Sequence, residues 1–182
     1  MKKLLLIIPL VFLLCFTLGC QQPTEEAVEE GITEEEARAM GDRVLEMWNE
    51  GNLSLAEELC APEVVMHHSS SPENIVGLDG VKNSVTSSRT MFPNFNMTFD
   101  EVIVKGNNIV TRWTATGTNT GPIQTPMGEL PATNKNVRIF GLSLSKAENG
   151  KIVEEWVIYN VLDMMQQLGF TLNPPQPPEE KK

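Results

Sequence analysis

The hydrophobic spacing of this chain changes period once, and that change constrains the fold more than any other feature. From Thr33 to Arg89 apolar residues recur at helical spacing, as in Ala37, Met40, Val44, Met47 and Trp48, whereas from Met97 to Tyr159 they alternate in β-branched and aromatic runs. Thr33-Glu34-Glu35-Glu36 predicts a capping box, because the threonine hydroxyl and the third glutamate satisfy free amides at a helix start, and Gly51 supplies the stop. Ser54 to Glu57 predicts a second box and a short helix to Cys60, Val64 to Met66 a short strand, and Gly77 to Arg89 a third helix entered through Asp79. Met97 to Lys105, Ile109 to Thr116, Val137 to Ser145 and Lys151 to Tyr159 predict strands. Gly106-Asn107-Asn108 and Glu148-Asn149-Gly150 are the turns between them, and a short helix from Val161 to Leu168 follows. Helices first and strands afterwards predict an α+β domain, its N-terminal helices packed on one face of a curved antiparallel sheet.

Of the 182 residues, this leaves 32–172 as one folded domain. Lys2-Lys3, the apolar run from Leu4 to Leu18 and Gly19-Cys20 have the layout of a secretory signal over 1–19. The run's fifteen residues fall short of the ~20 that span a bilayer. The ending Leu18-Gly19-Cys20 resembles the bacterial lipoprotein box, which implies lipidation of Cys20 and an extracytoplasmic chain anchored to a bacterial membrane; plain cleavage without lipid is the alternative. Residues 20–31 then read as an acidic tether and 173–182 as a Pro-rich tail. Cleavage removes two lysines, taking the net charge from -10 to -12. So acidic a chain lacks the phosphate-neutralising surface that nucleic-acid binding requires. Cys60 is then the one cysteine of the domain, read as a small buried apolar residue rather than a nucleophile.

Several strings occur together in order: Gly117-Thr118-Asn119-Thr120-Gly121, Pro131-Ala-Thr-Asn-Lys-Asn-Val137, Gly150-Lys-Ile-Val-Glu-Glu-Trp156 and Met165-Gln-Gln-Leu-Gly169. In this order they resemble the SnoaL-like polyketide cyclase or ester cyclase family of the NTF2-like superfamily, from about Glu36 to Gly169. The resemblance implies a cone-shaped pocket, often in a homodimer, that folds a small polyketide-like ester for aldol ring closure without metal or organic cofactor. It also implies a carboxylate base four residues after the tryptophan, a place held here by Asn160. Where the family often carries histidine, this chain has Asn119 and Glu155.

An amide takes no proton at neutral pH, so two readings stand. Either the base has moved, to Glu155 or to Asp163 in the closing helix, or the pocket binds a small hydrophobic or carbonyl-bearing molecule without cyclase activity. A third treats the cone as a dimeric interaction scaffold at the cell envelope. Ideal alternation from Ile152 puts Glu154, Trp156, Ile158 and Asn160 on one face, and Val153, Glu155, Val157 and Tyr159 on the other, unless a bulge intervenes. His67 and His68 point oppositely, so at most one lines a given pocket, and no further ligands stand nearby for a metal. Arg112 and Trp113 likewise divide between the two faces, with Arg112 expected to pair a ligand carboxylate or Glu154 or Glu155. Asn119, Arg112, Trp113, Trp156, Tyr159, His67 and His68 are the candidate ligand contacts.

Overall fold

The computed structural model describes residues 31–125 and 128–173. The signal, Cys20, the tether and most of the tail lie outside the described residues. Helix α1 (Glu34–Glu50) starts with both bonds of the capping box, the Glu36 amide donating to Thr33 Oγ1 at 3.2 Å and the Thr33 amide to Glu36 Oε2 at 2.9 Å. It ends at Gly51, whose φ of 77° requires the left-handed region. Helix α2 (Leu55–Leu59) is a single turn: Ser54 is itself helical and its side chain caps nothing, so the second capping box does not form.

At Cys60 the chain turns directly into strand β1 (Cys60–His68), longer at both ends than expected, followed by the two-residue β2 (Ile75–Val76) and helix α3 (Gly77–Met91). Strands β3 (Asn96–Lys105) and β4 (Asn108–Thr118) form one hairpin; β7 (Asn136–Glu148) and β8 (Lys151–Tyr159) form another. Asn149 and Gly150, at φ 51° and 74°, make the two-residue turn of the second hairpin. A small hairpin of β5 (Ile123–Thr125) and β6 (Gly128–Leu130) stands apart as its own two-stranded sheet. Helix α4 (Val161–Gln167) closes the fold.

The main sheet has the order β2-β1-β8-β7-β4-β3. It is not wholly antiparallel, because β1 runs parallel to β8. No hairpin joins these two; α3 and the strands β3 to β7 separate them in sequence, so no turn imposes an antiparallel pairing. Single-residue bulges fall at Asp100 in β3 and at Val153 in β8, and the register shifts again in β1 between Cys60 and Val65. The helices lie on one face, where Met47, Leu55, Leu59, Val64, Val81 and Val85 form the largest buried cluster. Phe92, Ile123, Val137 and Leu168 form a second cluster and Ala37, Ile109 and Ala147 a third.

Side chains tie the helices to the edge strand. Asn49 donates to the Met97 carbonyl at 2.9 Å and accepts from the Met97 amide at 2.7 Å, so its amide group pairs with β3 as a neighbouring strand would. Arg89 of α3 donates to the Trp48 carbonyl at 3.2 Å and to the Asn49 carbonyl, meeting the free carbonyls at the end of α1, where no basic residue of its own stands.

Candidate active site

Between the helices and the sheet lies a cavity of about 200 Å³. Methionines and aromatic rings from α1, α3 and the neighbouring strands form much of its wall, including Met40, Met47, Trp48, Met91, Phe95 and Phe99. The sheet side is different in kind. Strand pairing lines up Ile109, Ser145 and Glu155 in one row, Thr111, Ser143 and Val157 in the next, and Trp113, Gly141 and Tyr159 in a third. A stripe of hydroxyls with one carboxyl therefore crosses the floor of an otherwise apolar chamber.

Glu155 reaches the cavity because of the Val153 bulge. Ile152 pairs with Ala147 and Glu154 with Lys146, so Val153 is an extra residue and Ile152 shares the cavity face with Glu155, Val157 and Tyr159. In an unbroken strand Ile152 and Glu155 would face opposite ways. The carboxyl accepts a hydrogen bond from Ser145 Oγ at 3.1 Å, and Ser143, which the register sets opposite Val157, is its diagonal neighbour on the same face. Loss of hydration is the larger effect and pushes the Glu155 pKa up, with both serines partly opposing it. Three other titratable groups line the cavity, and burial favours the neutral form of each. The Cys60 thiol is pushed up to about 12, chiefly by burial and then by the charge of Glu155, so no thiolate forms at neutral pH. Burial lowers the pKa of His68 and raises that of Tyr159, the latter with Ser70 partly opposing it. The Ser70 hydroxyl is 2.7 Å from His68 Nδ1, and the His68 and Tyr159 rings meet edge to face at 5.5 Å.

The cavity lining thus includes Glu155, Trp113, Tyr159 and His68 from the expected set, and leaves out the others. His67 faces outward, stacked on Trp156 at 4.8 Å and held between Asn74 Oδ1 at 3.0 Å and Glu154 Oε1 at 2.9 Å. Arg112 is also on the outer face, but it pairs with Asp100 at 3.1 Å and Glu101 at 3.4 Å rather than with Glu154 or Glu155. The Asp100 bulge sets these two consecutive acids around one guanidinium. Asn160 is exposed and caps α4, accepting from the Asp163 amide at 3.0 Å, while Asp163 accepts from Gln167 Nε2 at 2.8 Å. Asn119, though fully buried, turns away from the cavity and joins three chain segments. Its amide nitrogen donates to the Met91 and Gly121 carbonyls, and its oxygen accepts from the Thr133 amide and hydroxyl.

Sequence reasoning missed Thr111, Ser143 and Ser145. In Gly141-Leu-Ser-Leu-Ser145 the usual rule sends leucines inward and serines outward. The structure does the reverse: Ser145 is 6% exposed, Leu142 49% and Phe140 68%. Among the described residues no group of three or more His, Cys, Asp or Glu is arranged to hold a metal ion.

Helices folded over a curved sheet around an apolar chamber define the NTF2-like architecture. The model of the SnoaL-like polyketide cyclase family matches residues 38–168, and the chain belongs to that family. Among solved structures, TsrD from Streptomyces laurentii is similar at 22% identity over 76% of this chain and 98% of its own, with a TM-score of 0.67. A proposed polyketide cyclase from Acidithiobacillus ferrooxidans follows at 24% identity, 76% and 97% coverage and a TM-score of 0.65. IdmH from Streptomyces antibioticus has 26% identity, 73% and 98% coverage and a TM-score of 0.60. No curated protein matches the sequence.

Proposed function

We propose that the cone binds a small hydrophobic molecule bearing a carbonyl group, and that Glu155 is the acid–base group acting on it. The observation that carries this reading is the Glu155 carboxyl on the cavity wall, the one acidic side chain in the lining among the described residues, with its pKa raised by burial. A carboxylate of raised proton affinity is a stronger base toward a carbon acid, and once protonated it returns the proton to the product. Neutral His68 and Tyr159 supply hydrogen-bonding groups in the same chamber for a carbonyl oxygen that gains charge. In this reading the base of a SnoaL-like cyclase, isomerase or hydrolase sits at Glu155. Asn160 and Asp163 serve the closing helix.

A thermal-shift screen against aromatic polyketides, quinones and lipid-like esters is expected to find a ligand that raises the melting temperature. Turnover of that ligand should fall about 100-fold or more in Glu155→Gln and stay at the wild-type rate in Asp163→Asn. Full activity in Glu155→Gln would remove the catalytic role, and ligand binding without turnover would mark the cone as a binding site alone. We further propose the anchor at Cys20, expected as a lipid-sized mass increment and detergent-phase partition that Cys20→Ala abolishes. A second reading, a homodimer or partner scaffold formed through the outer sheet face, is favoured by the exposed apolar residues there, among them Phe140, Leu142, Trp156 and Ile158.

A further inference from the structure

Trp113, Ser143 and Ser145 of the sheet floor gather beside Glu155. Trp113 Nε1–H donates to Ser143 Oγ at 3.2 Å within the protein interior. An indole nitrogen can only donate, so it fills an acceptor site on the Ser143 oxygen and leaves the hydroxyl proton free to turn to another acceptor. The neighbouring acceptor is the Glu155 carboxyl, which Ser143 helps to hold in its charged form. Ser145, two residues along the same face of β7, donates to that carboxyl directly. The carboxyl is therefore bonded by one hydroxyl, Ser145, and adjoined by a second, Ser143, to which the indole donates.

The indole reaches Ser143 because Gly141 has no side chain. Gly141 pairs with Trp113 on one side and Tyr159 on the other, and the two rings approach across it with centroids 6.0 Å apart. A Cβ at 141 would overlap the Trp113 ring carbon Cζ2 and stand 2.6 Å from the Ile158 backbone oxygen. One obstacle is a rigid ring and the other is backbone, so neither yields without moving the indole.

We propose that Trp113 and Gly141 are positioning residues for Glu155: the gap at Gly141 seats the indole so that its N–H fixes the Ser143 hydroxyl as a donor to the carboxyl. This rests on the reading of Glu155 as the functional group of the cavity and adds what sets its orientation and proton affinity. The other titratable groups lining the cavity are Cys60 and His68 on β1 and Tyr159 on the same strand as Glu155; the helices contribute none.

The test uses the full chain without ligand. The protonated-carboxyl infrared band that disappears in Glu155→Gln reports the midpoint of Glu155 against pH. Trp113→Phe and Ser143→Ala are each expected to raise that midpoint by about 0.5 to 1 pH unit, because each removes support for the charged form. Ser143→Thr, which keeps the hydroxyl, is expected to hold it at the wild-type value. The double variant should move the midpoint no further than Ser143→Ala alone, and Gly141→Ala should reproduce the Trp113→Phe shift. In the wild-type chain the Trp113 indole proton resonance should follow the same midpoint and lose that dependence in Ser143→Ala and Glu155→Gln. Additive shifts in the double variant, or an indole resonance indifferent to Glu155, overturn the proposal. The indole measurement decides even if a variant fails to fold. With no ligand present, these outcomes leave the ligand-binding reading untouched, and its failure leaves them untouched.

Discussion

Asn119 has one of the densest sets of side-chain hydrogen bonds in the described residues, and every bond is to a neighbouring chain segment rather than into the cavity. Asn119→Ala is expected to cost about 2 to 4 kcal/mol in urea unfolding, since it removes all four hydrogen bonds made by a fully buried side chain. Glu155 gives the opposite case, a residue whose environment works against its charge. Its folded pKa is raised above the 4.5 of an unperturbed carboxyl. Between 4.5 and that higher value the native state holds more protons than the unfolded chain, so its contribution to stability falls as pH rises through the window. Glu155→Gln removes that loss. The variant should melt with the wild type at pH 4 and above it at pH 8, and an equal melting temperature at pH 8 would contradict the raised pKa. His68, lowered by burial, costs stability as pH falls below about 6.5, but it does so equally in both proteins and cancels from the comparison. The residue types at the site were legible: one glutamate, one of two adjacent histidines, Trp113 and Tyr159. Ser143, Ser145 and Thr111 were not, because a short hydroxyl alternating with leucine reads as a solvated face unless the cavity behind it is already known.

At the scale of elements, α1 is fastened to the sheet edge by the two hydrogen bonds between Asn49 and Met97. Asn49→Ala should lower stability by about 2 kcal/mol and speed hydrogen exchange at the 97 amide; exchange unchanged there would show that packing alone holds the helix. The order of helices and strands was readable because period and turn residues agree locally, as at Asn149-Gly150. Three features escaped for one reason. The parallel pairing of β1 with β8, the Asp100 bulge that draws Arg112 to Asp100 and Glu101, and the Val153 bulge all depend on how distant segments meet. Strict alternation leaves no room for an extra residue, and nothing in Ile152-Val-Glu-Glu155 marks where it falls.

For the whole molecule, the inverted pattern of β7 has an outward consequence as well as an inward one. Each serine turned to the cavity sends a leucine or phenylalanine to the far side of the sheet, where Trp156 and Ile158 of β8 adjoin them. Contiguous apolar surface of this kind marks interfaces. Sedimentation of the proposed homodimer is expected to show twice the chain mass, with Phe140→Asp reduced to a monomer of unchanged melting cooperativity; a wild-type monomer at micromolar concentration would overturn it. The two faces of one sheet thus differ in kind, hydroxyls inward and apolar side chains outward, and a single alternating string sets both.

The methionines of the cavity have a further consequence. Met40, Met47, Met66, Met91, Met97 and Met164 all border it, and an unbranched thioether changes shape at little cost. The polar floor is the reverse, short side chains on paired strands, with Ser143 bonded to Trp113 and Ser145 to Glu155. In the proposed binding role such a chamber resembles a stiff stamp facing soft wax: it would read one functional group strictly and take the impression of whatever body that group is attached to. Compounds that share a polar head and differ in carbon skeleton should therefore compete for the same place, and a chain built this way suits a family of related molecules better than a single one.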